Sequence, residues 1–264
     1  MVSETPSLRI TFLGTGTSVG VPSIGCSCKV CRSVDAHDKR LRSSVLVETD
    51  STRVLIDCGP DFRQQILPLP FKPLNGVLLT HHHYDHVVGI DDLRPFCVFA
   101  PVEIYASEGT IDILHQTIPY CFGEHLYPGA PQLHFNPIAL HCPLRIGDMT
   151  ITPLQVMHGR LPVLGFRIGH FAYLTDMKYM EETEMPYLEN IDTLVVSALR
   201  FENPHHSHQL VDDAITFARK IGARRTYLTH VSHHIGLHRE VNQRLPDGVE
   251  LAYDGQIVEV LQGK

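Results

Sequence analysis

The sequence has no apolar run long enough to span a bilayer, and its N-terminus lacks the basic, apolar and small-residue succession of a secretion signal. It also lacks an excess of positive charge, since 22 Lys and Arg stand against 29 Asp and Glu, for a formal net charge of −7. The absence of an apolar span and of a secretion signal predicts a cytoplasmic protein without a membrane partner. The acidic balance argues against a long nucleic acid bound by a basic face. The 43% apolar and 19% charged residues are typical of a globular chain.

Short β-like runs outnumber helices along the 264 residues, and helices separate the groups of strands in both halves. This order predicts an α/β chain with two sheets packed face to face and helices outside, as one domain over residues 1–264. A Pro- and Gly-rich segment, Gly123–Pro137, is interpreted as a long loop. Helices are predicted at Asp61–Leu67, Thr110–Cys121 and Gln209–Ile221. Strands are predicted at Leu8–Leu13, Ser44–Glu48, Arg53–Asp57, Gly76–Thr80, Val102–Ala106, Met149–Val156, Leu164–Ile168, Phe171–Thr175, Leu194–Ser197, Thr226–Thr229 and Leu251–Tyr253.

Histidine is abundant, with 18 residues, and the densest group directly follows the apolar strand Gly76–Thr80. Four ligand-type side chains follow at close spacing: His81, His83, Asp85 and His86. Imidazole and carboxylate groups suit zinc, manganese or iron. One turn cannot fold all four around a single ion with good angles, so the spacing favours a pair of ions. A surface His tract is the alternative, but the run is internal, is interrupted by Asp85 and follows a core strand.

A second cluster contains three of the seven cysteines, Cys26, Cys28 and Cys31. In a reducing compartment, three thiols this close together are typical of a zinc site. They can occupy three corners of a tetrahedron, and the fourth ligand must come from elsewhere. His37 is the nearest by sequence, whereas His233 lies three residues after another candidate ligand, His230.

The pattern His-x-His-x-Asp-His after a strand resembles the signature of the metallo-β-lactamase superfamily. The resemblance implies an αββα four-layer sandwich whose metal ligands lie on loops at one end. It also implies a further His, Asp and His in that order, which His158, Asp176 and His230 match, each just past a predicted strand. By this resemblance, His81, His83 and His158 hold one ion, Asp176 bridges, and the second ion is held by Asp85, His86 and His230.

The Gly-rich segment Leu13–Pro22, the cysteine triad and the ending Thr229–His233 are similar to one branch of that superfamily. The branch contains the phosphoribosyl 1,2-cyclic phosphate phosphodiesterase of bacterial phosphonate breakdown. The resemblance implies a structural zinc held by Cys26, Cys28, Cys31 and His233, beside two divalent catalytic ions, manganese or zinc. It also implies a homodimer, a state that the sequence itself leaves open.

The branch further carries a His that protonates the leaving oxygen, shortly before a late helix. His208 is favoured because it adjoins the predicted helix Gln209–Ile221, while His205 and His206 stay open as alternatives. Asp57 is either an orienting partner of a metal-bound His or a turn residue before Gly59. Arg94 is a candidate contact for a substrate phosphate, and a surface ion pair is its alternative.

Together these features predict a metal-dependent phosphodiesterase that hydrolyses a small, possibly cyclic, phosphodiester with a hydroxide activated by two metals. In this interpretation Asp85 and His208 are the catalytic residues and Arg94 binds substrate. Two other functions stay open: an RNA-processing nuclease of the tRNA 3′-end type, and a metal-binding protein without catalysis. The intact Asp176 argues against a lactamase, in which a Cys usually replaces it.

Overall fold

The computed structural model describes residues 7–122 and 127–261. In this part of the chain two sheets of seven strands each are present. The strands are β1 (Ser7–Gly14), β2 (Ser44–Glu48), β3 (Arg53–Ile56), β4 (Gly76–Leu78), β5 (Val102–Ala106), β6 (Leu133–Pro137), β7 (Leu144–Ile146), β8 (Met149–His158), β9 (Leu161–Ile168), β10 (Phe171–Leu174), β11 (Thr193–Ser197), β12 (Arg225–Thr229), β13 (Val249–Leu251) and β14 (Ile257–Leu261).

Each sheet combines an antiparallel part with a parallel part. The first has the order β14-β1-β2-β3-β4-β5-β6, and the pairs from β3 to β6 are parallel. The second has the order β13-β12-β11-β10-β9-β8-β7, and the pairs from β10 to β13 are parallel. Parallel strands end at the same edge of a sheet, so the loops that follow β4, β10 and β12 can meet.

Helices cover the outer faces of the two sheets. Five α-helices are described: α1 (Phe62–Ile66), α2 (Tyr84–Val87), α3 (Glu108–Thr117), α4 (Val211–Ile221) and α5 (His238–Asn242). Short 3₁₀ segments accompany them, and the longest, Val88–Val98, continues directly from α2. Within these residues, no helix is both long and apolar enough to cross a membrane.

Three apolar clusters define the layers. The central cluster joins residues of both sheets, such as Phe12 of β1 and Phe166 of β9, so the sheets pack face to face. A second cluster lies between the second sheet and α4, which buries Val211, Ala214 and Ala218. A third joins the first sheet to α1, α3 and the Val88–Val98 segment. The predicted αββα four-layer sandwich is therefore confirmed.

The predicted elements differ from the observed ones mainly at ends and edges. Part of the predicted loop Gly123–Pro137 is the edge strand β6, whose mixed burial and terminal Pro137 hide the alternation expected of a strand. Residues 123–126 of that segment lie outside the described residues. The helix predicted over Thr110–Cys121 ends at Thr117, where a 3₁₀ turn with Pro119 begins. The short strands β7 and β14 and the helices α2 and α5 were not predicted.

Candidate metal centre

The densest group of ligand-type side chains lies where β4 ends. His81 and His83 follow the strand in an extended loop, and Asp85 and His86 occupy the first turn of α2. His81, Asp85 and His86 are buried. The change from extended to helical backbone within these six residues turns all four side chains towards the same edge of the sandwich.

Three further side chains reach this place from the second sheet. His158 is the last residue of β8, Asp176 lies two residues after β10, and His230 directly follows β12. Asp176 and His230 have positive φ angles, of 34° and 54°, which are uncommon for residues with a side chain. The left-handed backbone bends each loop sharply at the strand end, and both side chains are buried there.

The seven side chains form two groups that share Asp176. Within each group, one ligand atom per residue lies within 4.8 Å of all the others, and the groups are His81, His83, His158, Asp176 and Asp85, His86, Asp176, His230. The carboxylate of Asp176 lies between them. Its Oδ2 is 3.7 Å from His81 Nε2 and 3.3 Å from His86 Nε2, and its Oδ1 is 3.0 Å from His230 Nε2. The division matches the arrangement expected from the family resemblance.

Unpartnered polar atoms at this centre fit bound cations. Within the described part of the chain, His81 Nε2, His86 Nε2, His230 Nε2 and Asp176 Oδ1 are fully buried and make no hydrogen bond. Leaving a buried polar atom without a partner costs about 1–3 kcal/mol. Four such atoms aimed at one another are accounted for if the imidazole nitrogens and the carboxylate coordinate divalent cations, for which they are suitable ligands.

The outer Nδ1 atoms of three of the five histidines, His81, His86 and His158, have hydrogen-bond partners. Asp57, fully buried and with φ 63°, accepts from the backbone N–H and hydroxyl of Thr80 and is 2.7 Å from His86 Nδ1. His158 Nδ1 lies 2.9 Å from the backbone oxygen of Asp176, and His81 Nδ1 lies 3.0 Å from the Thr80 hydroxyl. Such contacts hold the Nε2 atoms towards the cation positions. Of the two interpretations of Asp57, the structure favours the orienting partner. Thr80, whose hydroxyl contacts both Asp57 and His81, was not singled out from sequence.

Burial and charge act in opposite directions at the centre. Burial raises the pKa of Asp176, but His230 and His86 outweigh burial and hold it well below the ordinary value. Burial lowers the pKa of His81 well below its usual value. Burial also lowers that of His86, but the neighbouring carboxylates, Asp176 first, raise it well above the usual value. A cation bound between His86 and these carboxylates would take the place of that proton, because ligating His is deprotonated.

The cysteine triad meets His233 in a separate cluster. The Sγ atoms of Cys26 and Cys28 are each 3.4 Å from His233 Nδ1, and the ligand atoms of Cys26, Cys28, Cys31 and His233 lie within 4.8 Å of one another. The backbone N–H of Cys31 and the His233 ring lower the pKa of Cys28 to about 6, and burial raises that of Cys31 to about 11. Three sulfurs and one nitrogen suit tetrahedral zinc. His37, the other candidate, pairs with Asp35 and lies outside this group.

Of the three histidines before α4, His208 lies against the metal centre. It is 8% exposed, and its ring centroid is 4.6 Å from that of His158 and 4.9 Å from that of His230. Burial lowers the pKa of His208 to about 3, and the nearby imidazoles add to this effect. His205 lies behind it, with ring centroids 5.0 Å apart, and His206 is exposed.

Arg94 lies in the 3₁₀ segment after α2, away from these contacts. Its Nη2 is 2.7 Å from Asp91 Oδ1, and both side chains are 41% exposed. Its other hydrogen bond in the described residues is a long one, 3.5 Å, to the Tyr127 hydroxyl. The ion pair that was the alternative for Arg94 is therefore present.

Two cavities flank the centre on either side of Leu161. One, of about 660 Å³, is lined by His83 and His158 together with Arg160, Lys178, Tyr179 and His206. The other, of about 420 Å³, touches His81 and His82 and is otherwise lined largely by apolar side chains, with no Asp, Glu, Lys or Arg. Arg160 and Lys178 were not singled out from sequence, although each stands two residues after a predicted ligand, His158 or Asp176.

Comparison with known proteins adds family evidence. The model of the "Beta-lactamase superfamily domain" matches residues 52–231. A protein of Porphyromonas gingivalis named "Octanoyltransferase" is 45% identical over 249 residues, which cover 94% of this chain and 51% of that protein. The chain spans about half the length of the curated relatives it matches.

Solved structures resemble the whole described fold. A crystal structure of "a New Diphosphatase from the PhnP Family" is 39% identical, with a TM-score of 0.89 and coverage of 96% of this chain and 97% of that one. The structure of Zn(2+)-bound PqqB from Methylobacterium extorquens is 20% identical, with a TM-score of 0.78 and coverage of 96% and 100%, and it supports the fold alone.

Proposed function

This chain belongs to the metallo-β-lactamase superfamily and, within it, to the PhnP family, and we propose that it is a metal-dependent hydrolase of small phosphodiesters. The observation that carries the proposal is the pair of ligand groups that share Asp176, with four buried, unpartnered ligand atoms between them. Two adjoining cation positions that share a carboxylate are typical of hydrolytic two-metal sites, in which water and a phosphoryl oxygen would bind between the ions, whereas a single Cys/His site with four ligands is typical of structural zinc.

In this proposal His81, His83 and His158 hold one divalent cation and Asp85, His86 and His230 hold the other, with Asp176 between them. When bound, manganese or zinc at such sites lowers the pKa of a water molecule and offsets negative charge on a phosphoryl oxygen. Asp57 and Thr80 keep the imidazoles of His86 and His81 in the orientation that presents Nε2. The Cys26, Cys28, Cys31 and His233 group holds a zinc ion with a structural role.

Hydrolysis forms a bond from the water oxygen to phosphorus and breaks the bond from phosphorus to the leaving oxygen. The leaving alkoxide needs a proton, and the ring of His208, packed on His158 and His230, is placed to supply it. In the free protein burial keeps this ring neutral. A phosphodiester anion beside it favours the imidazolium, so its protonation accompanies substrate binding.

The relative described as a diphosphatase supports phosphoester chemistry, since it is 39% identical and 97% covered. The octanoyltransferase name belongs to a protein about twice as long as this chain, and the match covers 51% of that protein. Arg94 stays a proposed substrate contact, for which Asp91 would have to release it.

The test is hydrolysis of bis(p-nitrophenyl) phosphate by the manganese- or zinc-loaded protein, with p-nitrophenyl phosphate as the monoester control. We expect metal-dependent cleavage of the diester that falls by at least about 100-fold in Asp85→Ala. In His208→Ala the loss should be about 100-fold for a diester with an alkoxide leaving group, such as a cyclic nucleotide, and much smaller for this substrate, because p-nitrophenolate leaves without a proton. Asp50→Asn, on an exposed turn, is the matched control. Circular dichroism establishes that each variant is folded.

Three outcomes would overturn the proposal. Metal-dependent cleavage of a precursor tRNA without cleavage of small diesters would assign the chain to the tRNA 3′-end nucleases. Release of thiol from an octanoyl thioester, with the diester untouched, would assign a thioesterase that uses the apolar cavity beside His81. Tight binding of three metal ions with no turnover of any of these substrates would indicate a metal-binding protein.

A further inference from the structure

The smaller cavity beside the metal centre is apolar and uncharged. Its volume of about 420 Å³ is in the usual range of small-molecule sites. Among the described residues that line it there is no Asp, Glu, Lys or Arg, and the only rings are the imidazoles of His81 and His82 and the ring of Pro162. Transfer of a charged or unpartnered polar group into such surroundings is unfavourable, so the cavity is suited to a hydrocarbon group. Its walls are mainly aliphatic side chains, which include Ile113, Ile138, Leu140, Leu161, Val163 and Leu164.

The backbone places this cavity directly against the reacting centre. The N–H of Leu164 donates to the oxygen of Thr80 at 2.9 Å, so β9 lies beside the residue that precedes His81. The N–H of Ile138 donates to the oxygen of Ala106 at 2.9 Å, which holds the segment after β6 against the end of β5. Because His81 is also a proposed cation ligand, one wall of the cavity belongs to the metal centre. A chain bound in the cavity would therefore begin at the reacting atoms.

The walls offer few hydrogen bonds to a ligand. The hydroxyl of Ser107 donates to that of Thr110 at 3.0 Å and accepts from the Thr110 backbone N–H at 3.3 Å, as the cap of α3. The amide of Gln155 has one weak contact, of 3.9 Å, with the sulfur of Met157. A nucleobase carries several donors and acceptors, and proteins commonly stack it on aromatic side chains. These walls supply little of either, whereas an unbranched hydrocarbon chain needs neither.

The group that joins such a chain to the centre is favoured to be neutral. A phosphodiester is an anion, and the cationic side chains of Arg160 and Lys178 lie in the other cavity. A carbonyl group carries no net charge, and an acyl chain continues from it straight into the apolar cavity. Among acyl compounds a thioester has a leaving thiolate with an ordinary pKa of about 8.5, which departs without help from an acid. No proton donor is then needed on this side of the centre.

We propose that this cavity binds an unbranched, medium-length acyl chain and that the adjoining active site hydrolyses the thioester at the end of that chain. The inference rests on the metal centre of the proposed function and adds a second substrate class to it. The oxygen of water bonds to the carbonyl carbon and the carbon–sulfur bond breaks. The sulfur leaves with the bonding electrons and takes up one proton of that water. The products are a fatty acid and a thiol.

A series of S-acyl-N-acetylcysteamine thioesters, from acetyl to octanoyl, measures the use of the cavity by the manganese- or zinc-loaded protein. Thiol release should give a kcat/KM that rises about three- to fourfold for each methylene that becomes buried. Ile113→Asp places a charge on the wall, at a half-buried residue of α3, and should lower the octanoyl-to-acetyl ratio of kcat/KM at least about tenfold.

A second variant and a control test the same ratio in other ways. Gly109→Leu should also lower it, because a bulky side chain narrows the cavity. In the described structure a Cβ atom at Gly109 has no neighbour within 4 Å outside its own helix, so α3 should fold normally in this variant. Ile24→Asp makes the same chemical change as Ile113→Asp at an isoleucine that is fully exposed and lines no part of the cavity. The ratio should be unchanged there.

Binding of 2-nonanone separates failure of this inference from failure of the proposed function, since this ketone carries the octanoyl chain and cannot be hydrolysed. Calorimetry with the metal-loaded protein should show a negative heat-capacity change and a Kd about tenfold weaker in Ile113→Asp. Thioester rates that do not depend on chain length, or an unchanged ratio in Ile113→Asp, would overturn the acyl site even if phosphodiesters are hydrolysed. A protein that binds 2-nonanone in this way and cleaves the octanoyl thioester, but no phosphodiester, would support the acyl site and overturn the proposed function.

Discussion

The two clusters of metal-binding residues are supported in opposite ways. The His/Asp centre lies at strand ends of both sheets, and its ligands are buried except for His83. The Cys/His cluster draws three of its four ligands from residues 15–43, where only isolated bridges and one 3₁₀ turn are formed, and Cys26 and Cys28 are partly exposed. The first geometry is determined by the sandwich, and the second needs something else to hold the loop.

The segment 15–43, which carries the three cysteines, is attached to the sandwich by polar contacts near its C-terminal end. The buried guanidinium of Arg40 donates to Thr15 and to the backbone oxygen of Ala252, and Asp254 accepts from Thr15 and from the N–H of Leu41. Between Cys26 and Cys31 the described side-chain contacts to the sandwich are those with His233 and one exposed ion pair, of Lys29 with Glu240 at 2.8 Å. The comparison therefore predicts that zinc shapes the cysteine loop, whereas cations enter a centre that is already formed.

The largest effect is expected from removing the shared carboxylate. Asp176→Ala should lower kcat/KM for a phosphodiester on the order of 10³-fold, because both cation positions lose a ligand and with it several kcal/mol of charge stabilisation. Metal analysis should show loss of the two catalytic ions and retention of the zinc at the cysteines. Simultaneous loss of all three ions would contradict the independence of the two clusters.

A large effect on stability, with little direct effect on the His/Asp ligands, is expected at the cysteine loop. Cys28→Ser should release one zinc ion and lower the Tm by roughly 5–10 °C, because the loop loses its main cross-link. Calorimetry and metal analysis of the same sample check both. Cys142→Ser, at an exposed thiol outside the cluster, is the matched control and should change neither.

Asp254, which holds the C-terminal end of the cysteine loop through Leu41, should make the stability of the protein depend on pH. Burial raises the pKa of Asp254 to about 6, above the value of an unfolded aspartate. Its proton therefore stabilises the fold at low pH, and this contribution is lost as the pH rises through about 6. Relative to the wild type, Asp254→Asn should gain about 2 kcal/mol in free energy of unfolding between pH 4 and pH 7. Urea titrations at several pH values measure this difference, and a pH-independent difference would contradict it.

The smallest effect is expected from an orienting residue of the buried centre. Asp57→Asn should weaken cation binding at the His/Asp centre about 10- to 100-fold, because His86 loses its charged partner. Competition with a metal chelator measures the affinity. If the variant binds cations as tightly as the wild type, the strands alone position His86 and the contact to Asp57 is dispensable.

The sequence is more informative about the centre than about its surroundings. The seven His and Asp residues could be singled out because each donor directly follows a strand or lies in a dense run, and β4, β8, β10 and β12 are apolar enough to be recognised. The contact of Asp57 with His86 and Thr80 depends on a left-handed turn and on pairing between β3 and β4. The sequence alone therefore does not decide whether Asp57 orients a histidine or only forms a turn.

The edge strands and the cavity lined by Arg160 and Lys178 were harder to predict from the sequence. β6 and β7 are short, partly exposed edge strands that carry little period-two pattern. Arg160 and Lys178 line the same cavity because β8 bridges to the segment after β10, through Met157 and Tyr179. Such a contact joins residues far apart in sequence and has no local signal.

Val231, between His230 and His233, has a consequence for protein engineering. Its N–H donates to the oxygen of Thr15 and its oxygen accepts from the N–H of Thr17, so it is paired on both sides with the Gly-rich segment. The two histidines on either side serve different clusters at a separation fixed by that pairing. Grafting the cysteine loop onto another scaffold would require residues 15–17 and 230–233 to move with it, and one inserted residue within 230–233 would disconnect the two clusters without removing a single donor.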